Sequence, residues 1–191
     1  RVCAFPYRGY WVDVGTIEAY WQAHMELLVG DPRLDLIDRD WVIHTRSEER
    51  PPVNICSEAT VARSLITDGC VIEGTVEHSV LSPGVVVQRR AVVRDSIVMT
   101  DAVIEENAVV DHAILDKRVR VGAGVRIGWE DNLAPDTPDS LRSGLTVIGK
   151  NTPIPAQTRI APNCTIAADL GEEAFKERRI PSGTTVGAVR R

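Results

Sequence analysis

The chain has 191 residues, a formal net charge of −5, and 43% hydrophobic but only 5% aromatic residues. That length fits one large or two small domains, and the acidic balance argues against a nucleic-acid or membrane-surface binder. No apolar run approaches the roughly 18 residues of a membrane span, and the cysteines (Cys3, Cys56, Cys70, Cys164) show no CxxC spacing, as expected of reduced thiols in a cytoplasmic protein.

In chain order, Gly9-Tyr-Trp-Val-Asp-Val-Gly-Thr16 reads as a turn leading into a helix. Thr16 is the predicted N-cap, Glu18 falls in the first turn and Gly30 lies just past the end. Ile17, Tyr20, Trp21, His24, Leu27 and Leu28 share one helical face, which is expected to pack on a neighbour absent from this chain. Asp13, a carboxylate set between aromatic residues and a glycine, is not explained by the helix. Residues 31–52 read as a crossing segment between Asp31-Pro32 and Pro51-Pro52, with Trp41 anchoring it and Ser47-Glu-Glu-Arg50 as a polar turn.

From Val61 a twelve-residue pattern is written four times, starting at Val61, Val76, Val93 and Val110, so the starts lie 15, 17 and 17 residues apart. Apolar residues recur at its first position, at its fifth (Leu65, Val80, Ile97, Ile114) and at its last (Ile72, Val87, Ile104, Val121). Small residues recur at its fourth: Ser64, Ser79, Ser96 and Ala113. After Ile148 the unit shortens to six residues beginning at Ile148, Ile154, Ile160 and Ile166, with a further copy from Ile180. Helical repeats need about 33 residues or more per unit, so this period predicts a β-solenoid of roughly six to seven coils. Inward Val and Ile would stack on their equivalents about 4.8 Å away in the next coil. No single coil could bury its own apolar face, so the stack is cooperative.

The third position of the pattern reads Arg63, His78, Asp95, His112. Stacked in register, these form an outer column with Asp95 between two imidazoles, read here as a solvated charge ladder rather than as a general base. Gly122, Gly124 and Gly128 fall within the repeat spacing and suit coil corners, not a phosphate loop. Trp129 to Ser143, with its acids and prolines, cannot line a β-solenoid and should loop out; Glu172 to Arg179 reads as one short helix.

Six-residue repeats of this kind resemble the hexapeptide family, which implies a left-handed parallel β-helix of triangular cross-section. The opening Gly9–Thr16 segment resembles the G-Y-W-x-D-V-G-T segment that ends the catalytic domain of sugar-nucleotide pyrophosphorylases. The stretch from Asp31 to Thr45, Pro51-Pro52 and Ser64 to Ile72 narrow the resemblance to bacterial glucose-1-phosphate adenylyltransferases (ADP-glucose pyrophosphorylases). The resemblance implies a mainly β chain: residues 1–30 as the end of an α/β nucleotidyltransferase domain, 31–52 as linker and 53–191 as the left-handed β-helix. The opening at Arg1 then reads as the tail of a longer protein.

That resemblance further implies a cytoplasmic enzyme converting ATP and glucose 1-phosphate to ADP-glucose and diphosphate for glycogen synthesis. ATP and glucose 1-phosphate would bind through the missing N-terminal domain, and this fragment alone is expected to be inactive. Asp13 corresponds to one of two acids that hold the catalytic Mg²⁺, a hard cation suited to neutralising phosphate charge. Ile114-Leu-Asp-Lys117 and Lys176-Glu-Arg-Arg-Ile-Pro-Ser-Gly183 resemble effector-binding segments of plant members. They imply a sugar-phosphate or nucleotide effector held by Lys117, Lys176, Arg178 and Arg179 through charge-assisted hydrogen bonds. The β-helix would serve oligomerisation, a homotetramer by the family's pattern. Three alternatives stay open: a non-catalytic regulatory subunit, a pyrophosphorylase for another nucleotide sugar, and a hexapeptide acyltransferase using His78 or His112.

Overall fold

The computed structural model describes residues 2–30, 33–36, 38–40, 42–44, 48–128 and 143–187. From Asn54 to Val186 the chain winds as a parallel β-solenoid of about seven turns, the architecture of the hexapeptide left-handed β-helix. Three sheets form its sides. The first face stacks six strands, from Asn54–Ile55 through Val71–Ile72, Val86–Val87, Val103–Ile104 and Arg120–Val121 to Pro153–Ile154. The second stacks seven, from Thr60–Ala62 to Arg179–Ile180, and the third seven, from Leu65–Ile66 to Thr185–Val186.

The registers follow from the repeat. On the second face Val76 pairs with Val93 and Val93 with Val110, and all three are fully buried. On the first face Ile72, Val87, Ile104 and Val121 form the matching inner column. Because successive strand residues alternate in direction, each strand sends one aliphatic inward, and burying each stabilises by about 1.5–3 kcal/mol. The small fourth position has a second role beyond fitting the corner. Ser79 Oγ donates to the Glu77 carbonyl (2.8 Å) and accepts from the Ser96 amide of the next coil (3.1 Å). Ser64 and Ser96 repeat the arrangement, so one serine hydroxyl, buried at Ser79 and Ser96 and half-buried at Ser64, satisfies one amide per coil.

The fifth-position column does not share that interior. On the third face the inward residues are Leu81, Val98 and Leu115, one step later, while Val80, Ile97 and Ile114 point outward. The helix α1, Ile17–Glu26, covers that outer column. Met25, Tyr20, Trp21 and Leu28 pack with Val80, Ile97, Met99, Ile114, Leu145 and Val147 in a second apolar cluster. The partner expected outside the chain is therefore the chain's own solenoid. Thr16 caps α1 as predicted, its hydroxyl accepting from the Ala19 amide at 3.1 Å. The helix stops at Glu26, short of Leu27 and Leu28, and its buried residue is Met25 while Ile17 is 53% exposed.

Corners carry the solenoid's backbone cost. Arg63, His78, Asp95 and His112 turn the chain from the second to the third face with φ between 44 and 49°. Left-handed φ in non-glycine residues costs roughly 1–2 kcal/mol each, which the stacked strands on either side offset. Between the third and first faces the corner column runs Gly69, Gly84, Asp101, Arg118, Asn151, Asp169, all with positive φ. Arg50 lies over the two glycines and grips Asp101 (Nη1–Oδ1 2.6 Å, Nη2–Oδ2 3.3 Å) while also pairing with Glu48. Gly69 donates to the Pro51 carbonyl at 2.7 Å, so the end of the crossing segment is tied along this corner. Trp41, Ser47 and residues 129–142 lie outside the described residues. The Glu172 to Arg179 stretch contains one 3-10 turn, Glu172–Ala174, after which Phe175 enters the core with 4% exposure. All four cysteines are free thiols, with Cys70 and Cys164 buried.

Candidate functional site

Two segments singled out in the sequence meet on the outside of the third face. Val14, Gly15 and Thr16, which precede α1, and Ile114 and Asp116, from the Ile114–Lys117 segment, line one cleft of about 330 Å³. Ile17, Tyr20, Met99 and Val147 complete its walls, which are mainly apolar. The segments are brought together because α1 docks on the outer column that contains Ile114. Burial, and then the nearby negative charge of Asp116, push the Tyr20 phenol above its ordinary pKa, since both disfavour the phenolate.

Asp13, which precedes the cleft-lining Val14, is exposed. Its Oδ1 accepts the Gly15 amide at 2.9 Å, closing a side-chain turn that presents Gly15 and Thr16 to the helix. The residues present supply a divalent cation with one carboxylate, and no group of three metal-ligating side chains occurs among the described residues. A lone carboxylate would serve a hard cation as one ligand among several supplied from elsewhere.

The third-position column lies beside α1. His78 Nδ1 donates to Asp95 Oδ1 at 2.6 Å. The expected symmetric arrangement does not form: His112 Nε2 donates instead to the Ser143 carbonyl at 2.9 Å. The Trp21 ring meets the His112 ring edge-on, with centroids 4.5 Å apart, and its indole N–H donates to the Asp95 carbonyl at 2.8 Å. The column is thus partly a docking surface for α1 and not wholly a solvated ladder. No sequence signal distinguished it, because a strand-period pattern does not say which outer column a helix will cover.

Lys117 is exposed at the corner between the third and first faces, where its carbonyl accepts from Asn151 of the next coil. Lys176, Arg178 and Arg179 are exposed on the last turn, Arg179 opening the final strand of the second face. The two groups therefore occupy different edges of the solenoid. Missed in the sequence were the Arg50–Asp101 pair and the role of Met25; an arginine facing glycine corners was the available hint for the first.

Residues 53–148 match the GlmU-like, C-terminal hexapeptide family. Across almost its whole length the chain is similar to proteins named glucose-1-phosphate adenylyltransferase. It is 50% identical over 192 residues to that of Thermomicrobium roseum, covering 99% of this chain and 45% of the relative. It is 40% identical over 184 residues to that of Pseudothermotoga lettingae, covering 96% of this chain and 44% of the relative. For the Acetivibrio thermocellus protein the figures are 38% over 184 residues, 96% and 43%. The chain thus spans less than half the length of these relatives.

Proposed function

Because the chain belongs to the GlmU-like, C-terminal hexapeptide family and matches glucose-1-phosphate adenylyltransferases over 99% of its length, we propose that it is the C-terminal part of such an enzyme. The parent enzyme transfers adenylyl from ATP to glucose 1-phosphate, giving ADP-glucose and diphosphate in the cytoplasm for glycogen synthesis. One observation carries this reading: α1, which directly follows the Gly9–Thr16 segment, packs on the solenoid, and Val14, Gly15 and Thr16 at the end of that segment line a cleft with Met99, Ile114 and Val147 of the stack. Asp13 contributes one carboxylate to Mg²⁺, which when bound offsets charge on the reacting phosphates. The side-chain turn to Gly15 orients that carboxylate.

This part of the enzyme serves assembly and regulation, with Lys117, Lys176, Arg178 and Arg179 as anion-binding groups for a sugar-phosphate or nucleotide effector. The assembled protein is a homotetramer, which light scattering of the parent protein checks directly. Among the described residues no helix is long and apolar enough to cross a membrane. The decisive experiment compares this chain with a polypeptide extended by the preceding residues of its gene. The extended protein should form ADP-glucose in preference to UDP- or GDP-sugars, and Asp13→Asn should abolish that turnover while leaving thermal unfolding unchanged. An extended protein that binds effector but turns over no nucleotide sugar would instead be a regulatory subunit.

A second reading, acyl transfer, draws on the 2.6 Å contact that orients the His78 imidazole on Asp95. Acyl-CoA binding that disappears in His78→Ala would favour it over the first.

A further inference from the structure

The helix α1 rests on a surface that repeats. Val80, Ile97, Ile114 and Val147 stand in register on the third face, one per coil, and coils are about 4.8 Å apart. Burial of apolar side chains is non-directional, so Tyr20, Met25 and Leu28 on that column hold α1 down without choosing a seat along the stack. One contact is directed. The Trp21 indole N–H donates to the Asp95 carbonyl at 2.8 Å, and among the described residues this is the hydrogen bond that joins α1 to the solenoid. Its acceptor is fixed: Asp95 stands at a corner with φ of 44°, its amide donates to the Glu77 carbonyl at 3.2 Å, and its carboxylate holds His78. The same indole meets the His112 ring of the next coil, itself hydrogen-bonded to the Ser143 carbonyl. Trp21 thus spans two successive coils, and a slip of α1 by one coil would break both contacts. From Trp21 the path back to Asp13 is short and hydrogen-bonded. The Tyr20 amide donates to the Thr16 carbonyl at 2.9 Å, the Thr16 hydroxyl accepts from Ala19, and Asp13 Oδ1 accepts from Gly15.

We propose that Trp21 is a positioning residue: it locks α1 to one seat on the repeating surface and so sets where the Asp13 carboxylate stands relative to the solenoid. A slip of one coil would carry Asp13 by about 4.8 Å, and a misplacement of about 1 Å can cost on the order of a hundredfold in rate. The bearing of Trp21 on Mg²⁺ rests on the enzyme reading of Asp13; its placement of α1 does not.

The test compares the chain with Trp21→Phe, which keeps an aromatic ring but has no donor, and with Leu81→Val, which truncates a buried side chain inside the solenoid. Nuclear Overhauser contacts from the Ile17–Glu26 side chains to the Val80, Ile97, Ile114 and Val147 methyls report the seat of α1. The unaltered chain and Leu81→Val should give one set of contacts, and Trp21→Phe should spread them over neighbouring coils. An unchanged set in Trp21→Phe overturns the proposal, and so does complete loss of contacts, which would make Trp21 a residue of adhesion and not of placement. In the protein extended by the preceding residues of the gene, Trp21→Phe should raise the Mg²⁺ concentration that half-saturates ADP-glucose formation by about tenfold, with the KM for glucose 1-phosphate within about twofold and Leu81→Val shifting neither. An equal Mg²⁺ shift in Leu81→Val, or none in Trp21→Phe, would overturn the link to Asp13. An unaltered extended protein that forms no ADP-glucose refutes the enzyme reading, while the contacts still decide what Trp21 does.

Discussion

Docking of α1 on the solenoid predicts a specific energetic coupling between Met25 and Ile97. Met25 is 6% exposed and Ile97 1%, and both belong to the cluster between the helix and the third face. Met25→Ala removes three heavy atoms, which at about 0.8 kcal/mol per buried methylene is a loss of about 2–2.5 kcal/mol, with a cavity term added if the site does not collapse. Ile97→Ala should cost about 2–4 kcal/mol for the same reasons. If the two side chains face each other, the second truncation removes contacts that the first has already lost, so the double mutant should fall short of the sum by about 1 kcal/mol. Because α1 can undock without the stack unfolding, the measurement is native-state hydrogen exchange of the Ile17–Glu26 amides, supported by denaturant melts. Additivity within about 0.3 kcal/mol would refute the packing, and would return α1 to a partner outside this chain.

Acid unfolding should report the Arg50–Asp101 pair. Its hydrogen bonds to the Arg50 guanidinium hold the Asp101 carboxyl below its usual value. A folded pKa below the unfolded one near 3.9 gives stability that is present above about pH 4 and lost as the pH falls through the folded value. The melting temperature of the unaltered chain should therefore exceed that of Asp101→Asn at pH 7 and converge with it in strong acid; a constant gap down to pH 2 would contradict this. Gly84→Ala should lower the melting temperature, since φ is +77° there and the new methyl would push into the Arg50–Asp101 pair. Arg90→Gly, at an exposed corner with φ of 58°, should instead leave stability within about 1 kcal/mol or raise it, because glycine relieves the left-handed strain while costing unfolded-state entropy. Equal losses in the two variants would show that corner conformation does not govern these sites.

The stack was legible because its signal is translational: Val76, Val93 and Val110 are equivalent in the sequence and are equivalent in the register. A period does not say which apolar position faces in. The fifth position is as aliphatic as the first, yet Ile97 and Ile114 point out, because a helix supplied by the same chain makes the outer surface a second interior. Likewise the polarity of His78, Asp95 and His112 was visible, but not that their place in the pattern demands left-handed backbone. For the site, composition supplied candidates and topology separated them. Asp13 and Lys117 were named for different roles, and their segments border one region of the third face through Gly15 and Asp116, whereas Lys117 and Lys176 were named for one role and stand on different edges.

The corner between the second and third faces takes a single residue at His112. One coil later, 18 residues separate Ile127 from Thr146 at the same corner, and yet Thr146, Val147 and Ile148 still align with Ala113, Ile114 and Leu115. Phase in this scaffold is kept by vertical neighbours and is indifferent to the length of chain spent between them. That edge is accordingly a natural splice point, where a reporter peptide could be threaded in and the winding beyond it would resume in step.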